Sequence, residues 1–533
     1  MGRRKFKFWG WGYTDEVASP TERQMLKGFY GQRFSVSDWT EVAPPTVDEI
    51  TLPAARISAP GSLTGICSSD AEDRLIHSYG KSYPDSVRAF ARSFPNPPDL
   101  IAYPRNENDI ISVLDFADGM NAAVIPFGGG SSVVGGVETA VDGDYRGVIS
   151  LNLQNLDRVL EVDVVSRAAR IQAGVLGPQL EAQLKPHGVT LRHFPQSFQY
   201  STLGGWIATR SGGHFATRLT HIDDMVESTR VVTPAGLSES RRLPGSGAGP
   251  SPDRLFIGSE GALGVITEAW MRLQSRPRFR ASTSVRFADW YRAAEAVRAL
   301  SQADLHPSNC RLIDSEEAST TGVGNGSAHI LVLAFENADH SVEPLMARAL
   351  EIVASFGGQW NTDALENAQA HRSGESGAWR NAFLRAPYYR EVLTSIGVMY
   401  DTFETAITWE RFADFHANII DITRRIIREV TGHEGSVSCR FTHVYPDGPA
   451  PYFSFYALTR RGSELEQWHA IKNAASDALI AAGGTITHHH AVGRDHRRWY
   501  DAQCPLPFRA ALRAAKESLD PKGILNPGVL VDP

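Results

Sequence analysis

Three consecutive glycines are the tightest constraint in this chain. PFGGGSSVVGG, Pro126 to Gly136, places them directly after the apolar stretch AAVIPF. Glycine weakens helix and strand interiors but reaches unusual φ values at no steric cost, so such a run turns its amides outward as a nest for an anion. Ser131 and Ser132 add hydroxyl donors. The loop lacks the GK[ST] of a P-loop and the spacing of GxGxxG. Two more loops rich in Gly, Ser and Thr follow, SFQYSTLGGWIATRSGGH (Ser197 to His214) and SEGALGVITEAWMRL (Ser259 to Leu273). A single such loop is equally a tight turn. Three in one region point to a long ligand containing a pyrophosphate, gripped along its length by backbone. A Cβ at Gly129 is expected to block the approach of the backbone to that pyrophosphate.

The surroundings of these loops read as mixed α+β. Asn106 to Ala117 has Ile110, Ile111, Leu114 and Ala117 at helical spacing. Beyond it, the short strands GVISLNL, RAARIQAG, STRVVTPAG and GVITEAWMRL alternate with turns and helices. TSVRFADWYRAAEAVRAL opens a second strand–helix unit, ILVLAFENADH gives a further strand, and a long helix from Trp409 to Val430 precedes the strands SVSCRFTHVY and PYFSFYAL. The expected division is an N-terminal helical and irregular region over 1–96, a ligand-binding domain over 97–275, a substrate domain over 276–485 and a C-terminal segment over 486–533.

Composition narrows the function classes. A chain of 533 residues is too long for one core. A net charge of −7 gives nucleic acid no general attraction. None of the four cysteines falls in a CxxC pair, which argues against a disulfide framework or a structural zinc and suits a reducing cytoplasmic setting. MGRRKFKFWGWGYTDE carries the charge of a signal peptide without its apolar region, and Phe6 breaks the myristoylation pattern. The C-terminal VDP is no peroxisomal address. In the N-terminal arm, Arg3, Arg4, Lys5 and Lys7 interleave with Phe6, Phe8, Trp9 and Trp11. That arm either rests on an anionic membrane or, the preferred reading, packs on its own protein.

PFGGGSSV, STLGGWIATRSGG and SEGALGVIT, in that order, resemble the flavin-binding domain of the vanillyl-alcohol oxidase/p-cresol methylhydroxylase superfamily, and DPKGILNPG resembles its C-terminal ending. Within it, FWGWGYTDE, SDAEDRLIHSYG, CRLIDSEE, YYREVL, DTFETAITWERF, SCRFTHVY, PYFSFYA and THHHAVG resemble the alkyldihydroxyacetonephosphate synthase family over nearly the whole chain. The resemblance implies an α+β chain: a two-subdomain FAD-binding domain, an α+β cap and a tail returning to the flavin domain. It implies non-covalent FAD, held by Pro126, Phe127, Gly128, Gly129, Gly130, Ser131, Ser132, Val133, Gln196, Ser197, Ser201, Thr202, Gly205, Thr209, Arg210, Ser211, Glu260, Gly261, Gly264, Val265 and Ile266. The implied reaction replaces the acyl group of acyl-dihydroxyacetone phosphate by a long-chain alcohol, without net oxidation. Arg390 matches the family's phosphate-binding arginine, Arg311 an arginine near the flavin that stabilises the departing carboxylate, and Tyr452 the acid/base tyrosine. Expected partners are lipid-like small molecules and a second copy of the chain, not nucleic acid. The alternative is a FAD-linked oxidase or dehydrogenase of a 2-hydroxy acid or alcohol.

His488, His489 and His490 match the family's histidine triplet. If GTITHHH is extended, His488 and His490 share one face and His489 takes the other, so the three do not ligate one ion. No Cys, Asp or Glu at ligand spacing accompanies them until Asp495, and no metal is expected. A neutral imidazole that accepts the alcohol proton is the preferred role. Alternation does not choose the face; the resemblance points to His489. Without the resemblance, Tyr452 would read as a core aromatic, Arg390 as a solvated helix residue and Arg311 as a surface ion-pair partner.

Overall fold

A computed structural model describes residues 4–215, 217, 219–361, 385 and 387–532. Three main sheets carry the chain. In the first, Leu100–Ala102 and Ala123–Phe127 run parallel to the central strand Val148–Asn152, and Cys67–Ser68 closes one edge. The second is antiparallel, in the order Val159–Asp163, Ala168–Gln172, Val265–Arg272, Val226–Thr233, Gly236–Glu239. Helix Glu107–Met120 buries Ile110, Val113, Leu114 and Ala117 in the core these two sheets share. Its start is set by Asn106, whose side chain accepts the amide of Asp109. It runs three residues past Ala117 and stops where Asn121 adopts the left-handed φ of 53°. The C-terminal segment joins this core: Val124 N–H donates to Ile524 and Asn526 N–H to Val124.

The third sheet has six antiparallel strands, in the order Phe279–Phe287, His329–Asn337, Asn309–Ile313, Ser436–Val444, Pro449–Leu458, Val398–Glu404. Its period-two alternation sorts side chains to opposite faces. Cys310, Leu312, Met399, Phe403, Val437, Cys439, Phe441, Phe453 and Phe455 pack under helices Trp290–Ser301, Glu343–Ser355, Trp409–Thr431 and Glu464–Ala481. The alternate positions are polar yet buried: Arg311, Thr402, Glu404, Ser438, Arg440, Tyr452 and Ser454. They are buried because this face turns toward the Gly-rich loops. The long helix shows why the apolar face holds: Phe412, Phe415, Ile419 and Ile427 form one stripe, and truncating Phe415 to Ala would remove about 3–5 kcal/mol.

The N-terminal arm packs on its own protein. Phe6 and Tyr13 pair across a tight reversal, and Phe8 and Trp11 are buried. Lys7 Nζ is fully buried and lies 2.8 Å from Glu391 Oε1. Lys81 Nζ donates to Lys7 O at 2.8 Å. Two of the arm's four aromatic residues, Phe8 and Trp11, are thus spent inside the molecule, and Phe6 and Trp9 are half-buried. The helix Pro20–Phe34, with a capping box from Ser19 and Glu22, is an element the pattern reading passed over. Among the described residues no helix is long and apolar enough to cross a membrane.

Candidate active site

A deep cleft lies between the three Gly-rich loops and the polar face of the six-stranded sheet. Its floor is the turn after strand Ala123–Phe127. Among the described residues, no backbone N–H from Gly128 to Val133 donates to another protein group. A run of adjacent amides left without protein acceptors at the edge of a cleft is the anion nest that the glycines suggest. Gly130 sits at φ 65°, and a Cβ there would strike the Phe127 ring. Gly129 is also demanded by the neighbouring loop: a Cβ there would lie 1.6 Å from the carbonyl oxygen of Tyr200, whatever a ligand's approach requires.

The second loop enters helix Leu203–Ala208 through Thr202, whose hydroxyl accepts the Gly205 amide at 3.3 Å. In the third loop, Glu260 adopts φ 51° and Gly261 φ 77°. Glu260 accepts the amides of Val492 and Gly493, each at 2.8 Å. Burial pushes its carboxyl up to about 7, opposed by those two amides. All of the expected cofactor-binding residues line the cleft except Arg210. That side chain turns the other way, to Asp223 at 3.0 Å, and lines a separate pocket. The donor set, a run of free amides followed by two more backbone-rich loops, fits the pyrophosphate and ring system of FAD.

Of the other expected residues, Arg390, Tyr452, His489 and His490 line the same cleft. Arg390 is buried on the helical stretch 387–396; its Nη1 donates to Lys81 O at 2.8 Å and its Nη2 lies 3.5 Å from Asp401. Tyr452 donates to Thr402 Oγ1 at 2.9 Å, and the Arg440 guanidinium lies 3.8 Å from its ring centroid. Burial pushes this phenol above its ordinary value, against the pull of Arg440. That shift favours the neutral phenol. Arg311 and His488 do not line the cleft. Arg311 stands behind it, with Nη1 3.4 Å from His214 Nδ1; burial, reinforced by the like charge of Arg440, lowers it to about 9. His488 faces the separate pocket and shares Nε2 contacts with Tyr445 Oη at 2.8 Å and His221 at 3.2 Å.

The triplet is not extended. It turns about a buried carboxylate, Glu404, which the sequence reading did not single out. Oε1 of Glu404 accepts the amides of His488, His489 and His490 at 3.2, 2.7 and 2.6 Å and the Thr487 hydroxyl at 2.8 Å. Because the backbone curls, strand alternation does not sort the rings: His489 and His490 line the cleft, and His488 faces the separate pocket. Glu404, His489 and His490 offer ligand atoms within 4.8 Å of one another, as do His443, His488 and His489. An acidic partner for the histidines is therefore present, contrary to expectation. Its Oε1 is filled by four donors, while Oε2 has no well-aligned hydrogen bond among the described residues and lies against His489 Nδ1; no metal is assigned. Trp11, Tyr400 and Thr402 also line the cleft and were not foreseen; the alternation Tyr400, Thr402, Glu404 was their sequence signal.

Two family models match the chain: "FAD binding domain" over residues 98–239, and "FAD linked oxidases, C-terminal domain" over residues 276–530. The chain is 30% identical to alkyldihydroxyacetonephosphate synthase of Dictyostelium discoideum over 478 residues, 86% of this chain and 77% of that one. Among solved structures, an alkyldihydroxyacetonephosphate synthase superposes with a TM-score of 0.81 at 24% identity, covering 99% of both chains. p-Cresol methylhydroxylase with substrate bound superposes with a TM-score of 0.70 at 16% identity, over 88% of this chain and 94% of that one, a likeness of fold.

Proposed function

The chain belongs to the alkyldihydroxyacetonephosphate synthase family, and from that premise we propose that it exchanges the acyl group of acyl-dihydroxyacetone phosphate for a long-chain alcohol, forming the ether bond of ether lipids. FAD is its cofactor. The observation that carries the reading is one cleft in which the amide nest of the first loop faces Arg390, Tyr452, His489 and His490. When bound, FAD supplies an electron-accepting ring to that cleft.

The chain's own residues supply the rest. Arg390, already oriented by Lys81 O, offers a planar fork to the substrate phosphate. Tyr452 exchanges a proton with C1 of the dihydroxyacetone unit. Its neutral resting state means that this service depends on Arg440, stacked at 3.8 Å, to stabilise the phenolate. His489 takes the alcohol proton as the alcohol oxygen bonds to C1. The C1–O bond to the fatty acyl group breaks, and the acyl group leaves with that oxygen and the bonding pair as a carboxylate. In sum, ester and alcohol give ether, fatty carboxylate and one proton, with no change in oxidation state. Arg311, a layer behind, orients His214 and adds positive charge, and direct contact with the carboxylate is not required of it.

The substrates are lipid-like small molecules. A homodimer is expected from the family resemblance alone, and sedimentation equilibrium tests it. The function is tested by anaerobic turnover with acyl-dihydroxyacetone phosphate and a fatty alcohol, with no dye or quinone present. Many ether products per flavin are expected. Turnover that stops after one equivalent and resumes only with an electron acceptor would make the protein an oxidoreductase of the alternative kind.

A further inference from the structure

Glu404 ends the strand Val398–Glu404 and pairs in register with Tyr452 on the neighbouring strand. Its side chain is 1% exposed. One oxygen holds the histidine turn through three successive amides and the Thr487 hydroxyl. The other faces Nδ1 of His489. Building the turn needs only the first oxygen. The second does something a backbone scaffold does not require: it takes one edge of the imidazole, and His489 still lines the cleft.

We propose that Glu404 is the positioning residue of the ether-forming step, holding the proton of His489 on Nδ1 so that Nε2 is the bare nitrogen offered to the alcohol. This rests on the reading of His489 as the group that receives the alcohol proton. A carboxylate that accepts from Nδ1–H fixes both the tautomer and the ring plane, and it stabilises the imidazolium once the proton has moved. Burial acts to raise the Glu404 carboxyl; His489 and then His490 pull it well below the ordinary carboxylate range. The four donors on Oε1 favour the ionised form in the same direction. The groups facing Glu404 are His488, His489 and His490 from the turn and Tyr452 from the adjacent strand, with Tyr445 and His496 farther off. His488 Nδ1, 3.2 Å from His489 Nδ1, is the one competitor for that edge among the described residues.

The variant that separates the two roles is Glu404→Gln. Its amide oxygen can still accept the turn's donors, whereas its NH2 must donate to His489 Nδ1 and drive the proton to Nε2. The FAD-loaded enzyme, with 15N-labelled histidine rings, is examined by NMR, the His489 signals being assigned by their loss in His489→Gln. In the wild type the proton is expected on Nδ1. In Glu404→Gln it moves to Nε2, and ether formation falls on the order of 10²- to 10⁴-fold. FAD content and melting temperature stay near wild type, and fatty-acid release falls less than ether formation. A wild-type His489 protonated on Nε2 overturns the proposal without recourse to any variant, as does a Glu404→Gln ring that keeps its Nδ1 proton. If the tautomer moves and ether formation does not change, the positioning stands and the assignment of His489 as the base falls.

Discussion

Removing Arg390 is the most direct probe of substrate recognition. Its guanidinium is only 8% exposed, and one of its donors is committed to Lys81 O at 2.8 Å. Its contact with Asp401 is long, at 3.5 Å, and Asp401 keeps the Trp468 indole at 2.6 Å and Lys472 at 3.8 Å when Arg390 is gone. Arg390→Ala should therefore fold and bind FAD, because it strands no carboxylate. A phosphate dianion brought to the same place does lose its partner. Loss of one side of a buried, hydrogen-bonded charge pair costs about 2–5 kcal/mol. At 1.4 kcal/mol per factor of ten, kcat/KM for acyl-dihydroxyacetone phosphate should fall by about 30- to 4000-fold. A ketone ester lacking the phosphate should lose little, and Arg390→Lys should fall between, since it keeps the charge and loses the fork. The assay is the ratio of kcat/KM for the two substrates in wild type and variant, with flavin content and melting temperature as controls. Equal losses for both substrates would show that Arg390 does not hold the phosphate.

Acid precipitation of the purified protein should release yellow flavin into the supernatant; colour retained in the pellet would mean a covalent link. Gly129→Ala should lower the melting temperature of the flavin-free protein as well as flavin content, because its Cβ meets Tyr200 O at 1.6 Å. A variant that lost flavin alone would restore the simpler idea of ligand exclusion. Glu260, raised to about 7, contributes stability that is full below the ordinary carboxyl range and is lost as pH rises through about 7. Glu260→Gln should accordingly gain in melting temperature relative to wild type between pH 5 and 8, and a difference independent of pH would refute the assignment. Lys7→Ala leaves Glu391 buried without its cation and should weaken docking of the arm by about 3–5 kcal/mol, read as faster proteolysis within the first fifteen residues.

The strand and helix patterns carried most of the fold because they are local. Ile110, Leu114 and Ala117 announce their helix by spacing and are buried in it, whereas Ile111 of the same pattern is exposed and Val113 packs in its place. The polar face of the six-stranded sheet was present in the sequence as alternation, but alternation ordinarily means solvent on one side. Only the presence of the other domain turns Thr402, Glu404 and Tyr452 into buried groups. The histidine turn was illegible for the same reason. Its shape is dictated by a carboxylate 84 residues upstream of His488, and nothing in THHHAVG distinguishes a turn around a distant anion from an extended strand. The direction of Arg210 likewise follows from Asp223. Ser19 and Glu22, by contrast, were a readable capping box that the reading passed over.

The bonds around Lys81 set an order of events for a chain made from one end. Lys81 N–H holds Ser132 O of the first Gly-rich loop, its Nζ holds Lys7 O, and its carbonyl holds Arg390, whose neighbour Glu391 holds Lys7. During synthesis at about 5–20 residues per second, residues 1–14 wait on the order of tens of seconds for their anchor to emerge. Until then Trp11 lacks Tyr388, one side of its buried cluster, and the cleft has three loops and no lid. FAD capture before that point would meet an open, hydrated nest. A nascent chain halted before Glu391 should leave the arm exposed to protease and one extended past it should protect the arm, whereas tight flavin retention should wait for Tyr452, His489 and His490, which complete the cleft.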